Sequence, residues 1–122
     1  MRDFQQLEIW QRSHHFTLRV FTVIQSFPKE ELYGLTSQMR RSSASIPTNI
    51  AEGCGRNSSA ELKRFLTIAA GSSSEIQYQL ILAKDLHYIN DSVFKELHKE
   101  IIQIRKMIYS YSEKVLPSST PR

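Results

Sequence analysis

The chain has 122 residues, 40% of them hydrophobic and 23% charged, with sixteen Lys/Arg against twelve Asp/Glu, a net charge of +4 and a pI near 9.4. That length provides for one domain with a single modest core, and only four Gly and four Pro disfavour an all-β fold, which needs a turn signal about every eight to twelve residues. No run of eighteen apolar residues offers a membrane span, the opening MRDFQQLEIW lacks the apolar centre of a signal peptide, and a single cysteine makes neither an internal disulfide nor a zinc site, so the expectation is a cytoplasmic protein without a cofactor.

Periodicity predicts a first helix from Leu7 to Ser26, stopped by Phe27-Pro28. Its polar residues, among them Arg12, His15 and Arg19, share an arc of roughly 100°. One apolar stripe holds Leu7, Trp10, Leu18, Phe21 and Ile24, and a second holds Ile9, Phe16, Val20, Val23 and Phe27. Together they cover about 220°, twice what one core needs. A patch of that size calls for a cover, and the second stripe is expected to be an interface between copies of the chain. On that reading Ile9→Glu or Val20→Glu dissociates the oligomer and leaves each bundle helical. His14 and His15 are adjacent, about 100° apart, and cannot form an i, i+4 metal pair.

The stretch from Tyr33 to Arg56, YGLTSQMRRSSASIPTNIAEGCGR, predicts a second helix through Leu35, Met39, Ile46 and Ile50. Pro47 interrupts it, removing one backbone donor. Because Ile50, Ala51 and Cys54 keep the apolar phase, a kinked but continuous helix is expected rather than a stop at Ile46. Gln38, Arg41, Ser45, Asn49, Glu52 and Arg56 share an arc of roughly 80°, either a binding face or a solvated one. Cys54 reads as a small apolar residue near the helix end.

Ser58 with Glu61 forms a capping box, opening a third helix to about His87 with Leu62, Phe65, Ala69, Ile76, Leu80 and Ala83 in heptad phase. Gly71-Ser72-Ser73-Ser74 at its middle, opposite the small residues around Pro47, predicts a close approach of helices two and three. Gly71 is expected to face the other backbone or to lie near it, with Ala44→Leu overpacking the contact. Asn90 or Asp91 caps a fourth helix from about Ser92 to Val115, where Leu97, Ile101, Ile104, Ile108, Tyr111 and Val115 form a bundle seam. The whole is all-α, an up-down four-helix bundle over residues 1–116 with a disordered tail at 117–122.

The run FPKEELYGLTSQMRRSSASIPTNIAEGCGR, with Leu7 and Ile9-Trp10-Gln11 before it and Phe65 and Gly71-Ser72 after it, resembles the bacterial four-helix-bundle family of 23S rRNA-intervening sequence proteins. That family includes relatives of the accessory protein of diversity-generating retroelements. The resemblance implies a homo-oligomer, a pentamer by type, with basic surface that meets RNA or DNA.

The residues placed to do so are Arg12 and Arg19 on helix one, Arg40, Arg41 and Arg56 around helix two, Lys63 and Arg64 on helix three, and Lys95, Lys99 and Lys106 on helix four. Phosphate contacts from them give salt-sensitive binding with little sequence preference, and no aromatic platform interleaves with them. Catalytic and metal constellations are absent: His14, His15, His87 and His98 have no Glu-x-x-His partner, and GCG before Arg56 lacks the spacing of a P-loop. A non-enzymatic binding protein is therefore expected. The alternative is an oligomeric scaffold for a protein partner.

Overall fold

Three of the helix starts use side-chain acceptors. In the structure, a computed structural model describing residues 2–117, α1 spans Glu8–Ile24, α2 Leu35–Cys54, α3 Ser59–Asp85 and α4 Asp91–Lys114. Ser58 Oγ accepts the Glu61 N–H at 3.1 Å and Asn90 Oδ1 the Val93 N–H at 2.8 Å, each filling an orphan donor of the first turn. Gly34 has no side chain with which to cap α2. Glu31 does it instead: one carboxylate oxygen accepts the Leu35 N–H at 3.2 Å, while the other accepts the Tyr88 hydroxyl at 2.8 Å, tying the start of α2 to the α3–α4 turn. That turn closes α3 with His87 at φ 64, in the left-handed region, as the Tyr88 N–H reaches the Ala83 carbonyl and the His87 N–H that of Lys84.

Consecutive helices pack side by side and α4 returns to α1, so α1 and α3 lie on one diagonal of the bundle. Short connections and this neighbour order make an up-down four-helix bundle. The α2–α3 contact is the most extensive and the α1–α4 contact the thinnest. All six heptad residues expected on α3 are buried, and so are Leu97, Ile101, Ile104, Ile108 and Val115 of the α4 seam. The tail expected to be disordered lies, beyond Pro117, outside the described residues.

Which stripe of α1 turns inward corrects the sequence expectation. Ile9, Phe16, Val20 and Phe27 belong to the protomer's own core, with Val23 packed beside them. They are the least available residues on the helix for a second copy. The other stripe holds the open positions, although its Ile24 is also buried: Leu18 is 51% exposed, and Leu7, Trp10 and Phe21 are half-buried.

α2 runs unbroken through Pro47. A proline at this position leaves the carbonyl of Ser43, four residues back, without its helical donor. Thr17 of α1 supplies one: its hydroxyl lies 2.9 Å from that oxygen, the same proton being shared with the Ser13 carbonyl at 2.8 Å. Thr17 and Ser43 are both buried, so no bulk water substitutes for the contact. Thr17→Val should therefore cost on the order of 1–3 kcal/mol. In a Pro47→Ala background, where the new N–H can satisfy Ser43, the same change should cost clearly less. A denaturant double-mutant cycle measures the difference.

The close approach of α2 and α3 also sits elsewhere than expected. Gly71 is exposed, and a Cβ added there would meet nothing within 4 Å. The tight point is Gly53, where a Cβ would lie 2.9 Å from Phe65 Cβ and 3.1 Å from Leu62 Cδ1. Ala44 likewise faces the α1–α2 groove rather than α3, so the overpacking expected for Ala44→Leu has no basis in this packing.

Candidate nucleic-acid and interaction surfaces

The basic residues divide by whether their donors are already in use. Arg12 forks onto Glu100 (Nε–Oε2 3.1 Å, Nη2–Oε1 2.7 Å) and Arg19 onto Glu96 (both 2.9 Å), bridging the thin α1–α4 seam. The Arg19 hydrogen bonds hold the Glu96 carboxyl below the usual carboxylate range. Arg64 forks onto Glu61, and Arg56 pairs with Glu52 at 3.0 Å; both guanidiniums also lie over the Phe65 ring, 4.5 and 4.9 Å from its centroid. A guanidinium already forked onto a carboxylate gives up that bond to take a phosphate.

Arg40, Arg41, Lys63, Lys95, Lys99 and Lys106 stand in no ion pair among the described residues. Arg40 lies 5.4 Å from the centroid of Phe21, and Lys63 is half-buried. The three α4 lysines are all exposed and fall within an arc of about 40° at 3.6 residues per turn, along about 16 Å of helix. Tyr109, 54% exposed, continues that face one turn beyond Lys106. The sequence reading missed it, although its position between seam residues Ile108 and Tyr111 already places it off the seam.

The polar face of α2 divides as well. Ser45 Oγ is 2.8 Å from Ser72 Oγ of α3, Asn49 donates back to the Ser45 carbonyl at 2.8 Å, and Ser42 donates to Gln79. The Ser45–Ser72 and Ser42–Gln79 hydrogen bonds join α2 to α3, where small side chains leave no bulk to bury. Gln38 and Arg41 are exposed. Between α1 and α2 runs an open groove of about 630 Å³, lined by Phe4, Trp10, His14, Ala44, Pro47 and Ala51 among others. Trp10 stacks on His14 with centroids 5.0 Å apart and takes Phe4 edge-on. Cys54 is buried, and burial pushes its thiol up, away from the reactive thiolate. Among the described residues no three His, Cys, Asp or Glu are grouped to hold a metal, and no helix is long and apolar enough to cross a membrane.

The sequence matches the model of one protein family, 23S rRNA-intervening sequence protein, over residues 5–110. The chain belongs to that family. A crystal structure of a protein of unknown function from the S23 ribosomal protein family of Bacteroides thetaiotaomicron has the same fold, with a TM-score of 0.81 over 87% of this chain and 99% of that one, at 23% identity. No curated protein matches. In this member of the 23S rRNA-intervening sequence protein family, the match takes in α1, α2 and α3 entire and α4 as far as Ser110, and with it every basic candidate named above.

Proposed function

We propose that this protein is a non-enzymatic, cytoplasmic homo-oligomer that binds RNA or DNA through basic surface, with Lys95, Lys99 and Lys106 as the principal phosphate contacts. The observation that carries the reading is the α4 stripe: three exposed ammonium groups on one face, none engaged with a carboxylate among the described residues. Family membership and the pI near 9.4 support it. Arg40, Arg41 and Lys63 remain secondary candidates, whereas Arg12, Arg19, Arg56 and Arg64 serve ion pairs of the fold first. The resemblance makes a pentamer the expected stoichiometry, and repetition of the stripe around a ring multiplies the field of a +4 protomer.

Binding of this kind weakens steeply with salt, with a log–log slope of about −0.7 to −0.9 per phosphate contact, and discriminates little between sequences. Fluorescence anisotropy with structured RNA, single strands and duplex DNA at low salt tests it. Changing Lys95, Lys99 and Lys106 to Glu should lower affinity for every ligand alike and reduce the salt slope by about two to three. Absence of binding to all three ligands at micromolar oligomer would favour the scaffold reading, for which the apolar α1–α2 groove is the supporting observation.

A further inference from the structure

We propose that the α1–α2 face of one protomer receives the outer face of α3 from a second copy, head to tail; the inference rests on the homo-oligomer reading and names the two surfaces that meet. The first surface is the open stripe of α1, Trp10, His14, Leu18 and Phe21, together with the groove beside it. Its rim is cationic, because Arg40 lies over the Phe21 ring and Arg41 stands next to it, neither in an ion pair among the described residues. The second surface is the side of α3 turned from the core, where Ile68, Tyr78, Ile81 and Leu86 are 40%, 60%, 37% and 43% exposed. On this side Glu75 and Asp85 are exposed and stand in no ion pair among the described residues, while the unpaired Lys63 lies at its N-terminal end.

Gly71 lies in the middle of this second surface. A glycine inside a helix costs roughly 1 kcal/mol relative to alanine, and nothing in the protomer requires it, since an added Cβ would touch nothing within 4 Å. A bulky side chain of a neighbour seated between Ile68 and Tyr78 accounts for the missing Cβ. Apolar area on both sides, opposite charge on the two rims and a gap in one of them describe two halves of a heterologous contact, the kind that builds rings. Pairing either face with itself would bring like charge into the same interface, which disfavours that arrangement.

Leu18→Glu and Tyr78→Glu test the pairing, because both positions are exposed in the protomer and tolerate a helix-forming glutamate. Circular dichroism should show both variants folded, and light scattering should show each alone as a 14.2 kDa monomer while the parent is larger. Mixed in equal amounts, they should form a 1:1 complex of twice that mass, since the intact α3 face of the first fits the intact α1–α2 face of the second and the other two faces are blocked. A monomeric parent would overturn the oligomer reading and this inference with it. An oligomeric parent whose variants remain oligomeric alone, or remain monomeric on mixing, would overturn this pairing and leave the oligomer reading standing.

Discussion

Val20→Glu should leave the chain without a cooperative unfolding transition. Val20 is fully buried in the bundle core, among Phe16, Ile24 and the inward residues of the other helices. A carboxylate placed there must either lose its hydration or take up a proton, and each route costs several kcal/mol when no partner is available. The valine's own packing is lost as well. Against a total of about 5–15 kcal/mol for a domain, that is enough to abolish folding. Far-UV circular dichroism and a thermal melt read the result. A folded, merely dissociated variant would mean that the second stripe of α1 faces a neighbouring copy after all.

Gly53→Val should be the next most damaging change, and Gly71 provides its contrast. At Gly53 the first added carbon already meets Phe65 Cβ at 2.9 Å and the Leu62 carbonyl at 3.3 Å, atoms fixed to the α3 backbone. They cannot rotate away, so α2 and α3 must separate along their most extensive contact. Overpacking of this kind costs typically about 1–3 kcal/mol, and a β-branched side chain falls at the upper end or beyond. Gly71→Ala meets no atom and gains helix propensity, so it should stabilise the protomer by up to about 1 kcal/mol. Urea titrations of the two variants in the Leu18→Glu background, where the chain is expected to be a monomer, distinguish them. Equal effects at both sites would place the helix crossing wrongly.

These glycines show what could be read from the sequence and what could not. Helix number, phase and approximate limits were legible because they depend on local chemistry: Ser58 and Asn90 cap the helices that begin directly after them, and Leu97, Ile101, Ile104 and Ile108 repeat in a seam. Neighbourhood was not legible. Both stripes of α1 are equally apolar, and periodicity assigns residues to a face without saying which helix that face meets. For the same reason Gly71, followed by three serines, looked like the crossing point, while Gly53 did not. The pairs of Arg12 with Glu100 and of Arg19 with Glu96 join residues 88 and 77 positions apart, so the sequence around either arginine does not show them. The α4 lysines kept their candidacy because no acid on another helix reaches them.

Pro47 has a consequence for the order in which the chain can fold. The hydroxyl that replaces its missing donor belongs to α1, so the middle of α2 is complete only after the first two helices have met. A helix with a gap at its centre propagates poorly on its own, because each half is shorter than the length at which isolated helices persist in water. The first hairpin of the chain thus forms as a unit, its second member acquiring full helicity on docking. Conformational search is shortened accordingly: a misaligned α1 leaves the Ser43 carbonyl unfilled, and only the register that brings Thr17 level with it is rewarded.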